Sequence, residues 1–225
     1  MCGQIVLPEG AFICARCVKK LHFIQQPSCK KCGTELISDR EEYCPDCLRH
    51  QKSFESGIAL IQYNEAAKKS MAAIKYKNRR EYLDFYAEGM VHRYGYFFQF
   101  HSDAVLVPVP VHPARLRSRG FNQAGELAVR LSRLTGLSVN ESLLIRVRKT
   151  APQKNLDPRE RLRNLRDAFA LGQNTQLTGN SSLPDAVILV DDIYTTGSTI
   201  EACTRVLKKA GVKKVYFVSI CIGAV

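Results

Sequence analysis

Hydrophobic and polar positions along this chain switch repeatedly between the short apolar runs of strands and the 3.6-residue period of helices. Residues 58–63 form one such run, and helical spacing follows over 66–75 and again from 81 to about 94. Residues 103–110 read Asp-Ala-Val-Leu-Val-Pro-Val-Pro, a strand stopped by its prolines. An amphipathic helix is predicted over 123–134, ended by Thr135 and Gly136. Residues 143–147 make another short strand. Four aliphatic residues, Val187 to Val190, have the composition of a buried parallel strand. A helix over 198–210 follows, stopped by Gly211, and then a strand over 215–222. Strands alternating with helices predict an α/β fold, a mainly parallel sheet flanked by helices. Weaker patterning marks a loop at 149–155, a basic helix from Asp157-Pro158 to about Arg166, and a polar linker over 171–184.

One stretch carries chemistry as well as pattern. The apolar strand 187–190 runs into Asp191-Asp192-Ile193-Tyr194-Thr195-Thr196-Gly197-Ser198-Thr199. Two carboxylates are expected where the strand ends, at the edge where open α/β sheets bind ligands. A turn of small residues then opens a helix, so free backbone N–H groups and hydroxyls face the same spot. Carboxylates grip ribose hydroxyls, and a helix N-terminus holds phosphate. Together they read as a site for a ribose 5-phosphate. The competing reading is an ordinary strand–turn–helix whose acids cap the helix.

At 225 residues the chain has room for one α/β domain and a small module. No apolar stretch is long enough to span a membrane, and the N-terminus has no basic region followed by an apolar core, so a cytoplasmic location is expected. The net charge of +12 is unevenly spread. Residues 115–166 hold 13 basic and 4 acidic side chains, a net of +9, so three quarters of the excess lies there. Such a segment attracts pyrophosphate, a nucleotide or a nucleic-acid backbone; the alternative is a solvated helical face.

Cysteine is concentrated at the front, in three Cys-x-x-Cys pairs: Cys14/Cys17, Cys29/Cys32 and Cys44/Cys47. In a reducing compartment such pairs favour thiolate–metal sites over disulfides, and two pairs supply the four sulfurs of a structural zinc. Redox or adventitious pairs are the alternatives. Gly33, after Cys32, allows a knuckle to turn back and donate N–H groups to sulfur, which favours Cys29, Cys32, Cys44 and Cys47 as one site. Cys14 and Cys17 then lack two partners, of which Cys2 supplies at most one. They are a relic, a three-cysteine site, or rivals for the first site. Cys203 and Cys221 read as buried small hydrophobes, and the five histidines show no metal or base spacing. The expected division is a cysteine-rich zinc-binding module at 1–52, a hinge around 53–57, and an α/β domain over 56–225.

The run 187–199 resembles the phosphoribosyl-pyrophosphate (PRPP) motif of type I phosphoribosyltransferases. That resemblance puts the ribose hydroxyls on Asp191 and Asp192, and the 5′-phosphate on Thr195, Thr196, Gly197, Ser198 and Thr199. The order of parts along nearly the whole chain resembles the ComF family, which joins a cysteine module to such a domain. The pieces that carry this likeness are the Cys-x-x-Cys pairs, Ile74-Lys75-Tyr76, Val107-Pro108-Val109-Pro110 and Arg119-Gly120-Phe121-Asn122-Gln123. Gln153, Arg161 and Asn164 before Ala168-Phe169 add to it, as does the run from Asp191 to Thr199. The resemblance implies a type I phosphoribosyltransferase fold with a small N-terminal zinc-binding module. It also implies a basic pyrophosphate loop between Pro108 and Arg119, with Arg115, Arg119 and Asn122 as leading candidates against surface arginines and a helix-capping Asn. A solvated lysine and a site lysine are equal readings of Lys75.

Two functions follow from the resemblance. In one, the chain is a competence factor that binds PRPP or a nucleotide and contacts single-stranded DNA in natural transformation, beside a helicase-like ATPase partner. In the other, it is a Mg-dependent phosphoribosyltransferase of nucleotide or related metabolism. Thr195 stands where purine-salvage relatives carry an acid that serves as base, and a hydroxyl cannot do that work near neutral pH. The catalytic residue is therefore left unassigned. The chain carries no Gly-x-x-x-x-Gly-Lys-Ser/Thr loop, so an ATP-driven motor belongs to another protein.

Overall fold

A computed structural model of the chain describes residues 12–147, 168–172 and 183–223. Gln153, Arg161 and Asn164, together with the expected loop at 149–155, the basic helix after Asp157 and most of the 171–184 linker, lie outside the described residues.

Two short helices, α1 (Ala15–Val18) and α2 (Pro45–Arg49), belong to the cysteine module. The larger part runs β1 (Gly57–Gln62), α3 (Glu65–Lys77), α4 (Tyr82–Phe100), β2 (Val105–Pro108), α5 (Pro113–Arg119) and α6 (Gln123–Thr135). It continues with β3 (Leu144–Arg146), β4 (Phe169–Leu171), β5 (Ala186–Tyr194), α7 (Ser198–Ala210) and β6 (Lys214–Ile222). Four strands form one parallel sheet in the order β1-β6-β5-β2. β3 and β4 pair antiparallel in a separate ribbon, so the strand expected at 143–147 does not join the main sheet.

Alternation along β5 divides the core between the two faces of the sheet. Ile188 and Val190 pack with Met90 of α4 and with Leu127 and Leu131 of α6. Val187 and Leu189 face the other way, into a cluster with Ile200, Cys203 and Leu207 of α7 and with Cys29, Cys32 and Cys44 of the cysteine module. Cys203 and Cys221 are both fully buried apolar residues, as expected. Helices α4 and α6 thus cover one face and α7, which follows β5, the other. That opens a crevice at the carboxyl ends of two neighbouring strands.

The module is fastened along the outer edge of β1. Ile24 N–H donates to Leu60 O at 3.1 Å, Gln62 N–H donates to His22 O at 2.8 Å, and Phe23 bridges Ile61 antiparallel. Covering an open edge in this way removes a row of unpaired backbone groups. The segment expected as a hinge is a packed seam instead. Phe54 is fully buried, edge-on to Phe217 at 5.1 Å between centroids, because its large apolar ring gains more from the core than from solvent.

Other boundaries differ from expectation for local reasons. α4 continues to Phe100 past an irregular Tyr94, at φ −124° and ψ 26°, whose hydroxyl donates to Ala59 O at 2.8 Å. The basic stretch expected as a loop contains α5, started by Pro113 at its first position and closed by Gly120 at φ 82°. β5 does not stop at Val190. It keeps its pairing with β6 through Tyr194↔Ile222, while its pairing with β2 ends at Pro108↔Val190.

Candidate functional site

The acidic pair therefore lies inside a strand, not beyond it. Asp191 and Asp192 are the first residues of β5 past the end of β2, so one side of the strand is free exactly where the carboxylates sit. Asp192 is buried and held from two directions. Lys75 Nζ, at the end of α3, forms an ion pair with its Oδ2, and Gln123 Nε2 donates to its Oδ1 at 3.1 Å. Asp191 Oδ1 accepts the backbone N–H of Asp192 at 2.8 Å. Burial pushes the Asp191 carboxyl well above its ordinary range, and the neighbouring Asp192 charge adds to the rise. Burial acts the same way on Asp192, but the Lys75 charge and the hydrogen bonds from Lys75 and Gln123 outweigh it and hold that carboxyl low. The two carboxyls are thus pushed in opposite directions, Asp191 up by burial and its neighbour's charge, Asp192 down by Lys75 and Gln123.

The chain after Tyr194 forms the other half of the crevice. Thr195 is exposed, Thr196 Oγ1 and Ser198 Oγ lie 2.9 Å apart, and Gly197 takes φ 72° as the residue before α7. A Cβ at Gly197 would stand 2.3 Å from Tyr194 Oη, so glycine is required by space as well as by backbone angle. No side chain caps α7, which leaves its first N–H groups directed at the crevice.

The Arg119–Gln123 segment brings four jobs together. Arg119 donates to Gln123 Oε1 and lies over the Tyr76 ring at 5.6 Å. Gly120 closes α5, and Phe121 is buried beneath the Arg80 guanidinium, 4.3 Å from its ring centre. Asn122 Oδ1 accepts from Ala124 N–H at 3.2 Å, capping α6, while its Nδ2 donates to Val109 O at 3.1 Å. Arg119, Gln123, Asp192 and Lys75 form one connected chain of contacts. Arg115 and Arg117 are exposed on α5.

Four residues at or behind this crevice were not singled out as site residues by sequence: Gln123, Arg146, Lys52 and Tyr194. Lys75 was an even reading, and its side chain is largely buried against Asp192 instead of solvated. Arg146 of β3 lies 5.2 Å over the Phe169 ring. Burial lowers its pKa, the nearby Arg115 charge lowers it further, and Asp191 opposes both. The only sequence signal for Gln123 was its place in the Arg-Gly-Phe-Asn-Gln string. Arg146 and Lys52 come from segments distant in sequence and carried none.

Cys29, Cys32, Cys44 and Cys47 converge, with all four sulfurs within 4.8 Å of one another. Cys32 Sγ and Cys44 Sγ are 3.7 Å apart. A tetrahedral zinc with bonds of about 2.3 Å needs sulfurs about 3.8 Å apart, so the set fits that ion. Gly33 adopts φ 76° and turns the knuckle as expected, but its N–H donates to Cys29 O at 2.8 Å. The sulfur of Cys29 instead accepts from Cys44 N–H at 3.3 Å. Cys14 and Cys17 flank and form α1 and are not part of this cluster.

Comparison with known proteins agrees with both halves. The phosphoribosyl transferase domain family matches residues 117–224, and the double zinc ribbon domain family matches residues 1–48. The chain is therefore a phosphoribosyltransferase-type α/β protein with a zinc ribbon ahead of it. Competence protein F of Haemophilus influenzae is 28% identical over 90% of this chain and 87% of its own length. Competence protein ComFC of Streptococcus pneumoniae is 27% identical over 83% and 84%, and DNA utilization protein YhgH of Salmonella typhimurium 27% over 93% and 88%. Over most of its length the chain is thus similar to competence and DNA utilization proteins, in line with the resemblance its motifs carry. Among the described residues no helix is long and apolar enough to cross a membrane.

Proposed function

We propose that this protein is a cytoplasmic, PRPP-binding factor that handles incoming single-stranded DNA during natural transformation. The observation that carries the reading is the position of the acidic pair, Asp191 and Asp192, on β5 just past the end of β2, beside the uncapped start of α7. The ribose hydroxyls fall to the two acids and the 5′-phosphate to the Thr195–Thr199 turn. Pyrophosphate with its Mg²⁺ lies toward Arg119, Asn122 and Arg115, the metal being held largely by ligand oxygens. Structural zinc sits on Cys29, Cys32, Cys44 and Cys47 and keeps the ribbon folded.

The DNA role draws on relatives named for competence and for DNA utilization. It also draws on the division of labour along α5. Arg119 turns inward to Gln123, while Arg115 and Arg117 face solvent and suit a phosphate backbone. Tyr76, 78% exposed beside Arg119, offers a ring face for a base. A helicase-like ATPase supplies the motor that this chain lacks. Transferase turnover is the second reading, favoured by the complete ribose and phosphate constellation. Its acceptor would have to bring or find a base elsewhere, because Thr195 is not one.

The test is calorimetric titration of PRPP with Mg²⁺ into the protein and into its Asp191→Asn/Asp192→Asn variant, with transformation frequency measured for both. Binding and transformation are expected for the wild type and lost in the variant. A wild type that ignores PRPP, or a variant that transforms normally, overturns the reading.

A further inference from the structure

The phosphate turn is anchored from behind by the zinc ribbon. Lys52, the last residue of the expected module, donates from Nζ to Thr196 O at 3.0 Å. The same ammonium pairs with Asp46 Oδ2 at 3.2 Å, and the two side chains are only 9% and 14% exposed. Asp46 lies on α2 between Cys44 and Cys47, two of the four clustered cysteines, and its other oxygen takes His50 Nδ1 at 2.9 Å. A continuous polar path thus runs from the metal knuckle to the backbone of the turn, within a few residues of the crevice.

The geometry of a peptide unit gives this path a consequence. The Thr196 carbonyl and the Gly197 N–H belong to one planar trans unit and point in opposite directions. Holding the carbonyl back against Lys52 therefore aims the Gly197 N–H forward, at the side where a 5′-phosphate would sit. Gly197, at φ 72°, has no Cβ to restrict rotation of its backbone, so the turn needs an outside hold to keep this orientation. Ser53, next to Lys52, adds a second fastening. Its N–H and Oγ donate to the two carboxylate oxygens of Glu201, each at 2.7 Å, in the first turn of α7.

We propose that Lys52 is a positioning residue that transmits the folded zinc knuckle to the phosphate turn, fixing the Gly197 amide for an anionic ligand. The inference rests on the phosphoribosyl reading of that turn for its ligand, but the orientation of the turn can be measured without one. Lys52→Met removes both contacts, Lys52→Arg keeps charge and donors, and Asp46→Asn removes the charge that steers the lysine.

Amide hydrogen exchange of residues 195–199 in the ligand-free full chain is the first measurement, followed by PRPP titration with Mg²⁺ and zinc content. Exchange in the turn is expected to rise in Lys52→Met with zinc retained, and PRPP affinity to fall about tenfold, the loss of one charge-assisted hydrogen bond. Lys52→Arg should restore both to within about twofold, and Asp46→Asn should fall between. Unchanged exchange in Lys52→Met overturns the inference even if the wild type binds PRPP tightly. Loss of zinc alongside the loop change also overturns it, since Lys52 would then act on the ribbon. Faster exchange in a protein whose wild type ignores PRPP would leave the anchoring in place and remove only the phosphoribosyl reading.

Discussion

Lys75, at the end of α3, and Asp192, inside β5, form a buried ion pair at the centre of the crevice. Lys75 is 117 positions earlier in the chain, and its side chain is 18% exposed against 8% for its partner. Burial opposes the lysine charge, but the Asp192 carboxylate more than offsets it and raises the Lys75 pKa. Each charge is tolerated because the other is there.

Removing one partner should accordingly cost more than removing both. Lys75→Met is expected to destabilise the fold by about 3 kcal/mol, because Asp192 is left buried beside Asp191 with only Gln123 to hold it. The Lys75→Met/Asp192→Asn double variant should recover most of that loss. Urea unfolding of the wild type, the Lys75→Met and Asp192→Asn single variants and the double variant gives the comparison, and a double variant as weak as the sum of the singles would show that the two residues act independently.

Loss of the metal knuckle should reach the main sheet. Cys29, Cys32 and Cys44 share one buried cluster with Phe54, Phe217, Val187 and Leu189. Cys44→Ser is expected to release the zinc of this site. The accompanying destabilisation is on the order of 3 kcal/mol, or roughly 10 °C in Tm for a chain of this length. Metal analysis and a melting curve on the same sample test this. A variant that loses zinc and melts unchanged would mean that the ribbon unfolds without disturbing the sheet.

Local pattern was enough for much of this architecture. The period of α6, with Gly136 to stop it, and that of α7, with Gly211, fixed both helices to within a residue, because their apolar faces repeat and their ends carry glycine at positive φ. The four clustering cysteines were favoured over Cys14 and Cys17 by Gly33, since all three pairs share the same Cys-x-x-Cys spacing. What escaped was whatever depends on residues far apart in sequence. Lys75 looks like one of several lysines on an amphipathic helix until β5 is laid beside it. The strand continues past Val190 because β6 still pairs with it after β2 has ended, and that difference between its two edges has no local trace. The seam at 53–57 looked like a hinge from its small residues, but Phe54 and Ser53 are bound by partners found only in the folded chain.

Glu201 gives that seam a pH dependence. Burial pushes its carboxyl up, but the Ser53 N–H, the Ser53 hydroxyl and Arg205 outweigh it and bring the folded pKa below the ordinary value of 4.5. A carboxyl depressed by folding binds protons more readily in the unfolded chain, so its stabilisation is complete above pH 4.5 and is lost as pH falls through the folded value. Glu201→Gln should be less stable than wild type at neutral pH, and the gap should close below pH 4.5. Chemical unfolding across pH 3–7 reads this directly. A gap that stays constant with pH would assign the loss to packing.

The outward arginines of α5 should be visible in the salt dependence of DNA binding rather than in its sequence preference. Arg115 and Arg117 are exposed on a seven-residue helix. Neither forms an ion pair among the described residues. If each neutralises one phosphate of a single strand, each contributes about 0.7 to the slope of log K against log salt. Arg115→Ala/Arg117→Ala should then lower the magnitude of the slope by about 1.4 and weaken binding alike on oligonucleotides of different sequence. Fluorescence anisotropy with a labelled single strand over a series of salt concentrations supplies both quantities. An unchanged slope would move the DNA contact away from α5, and a loss confined to one sequence would point to base reading instead of backbone charge.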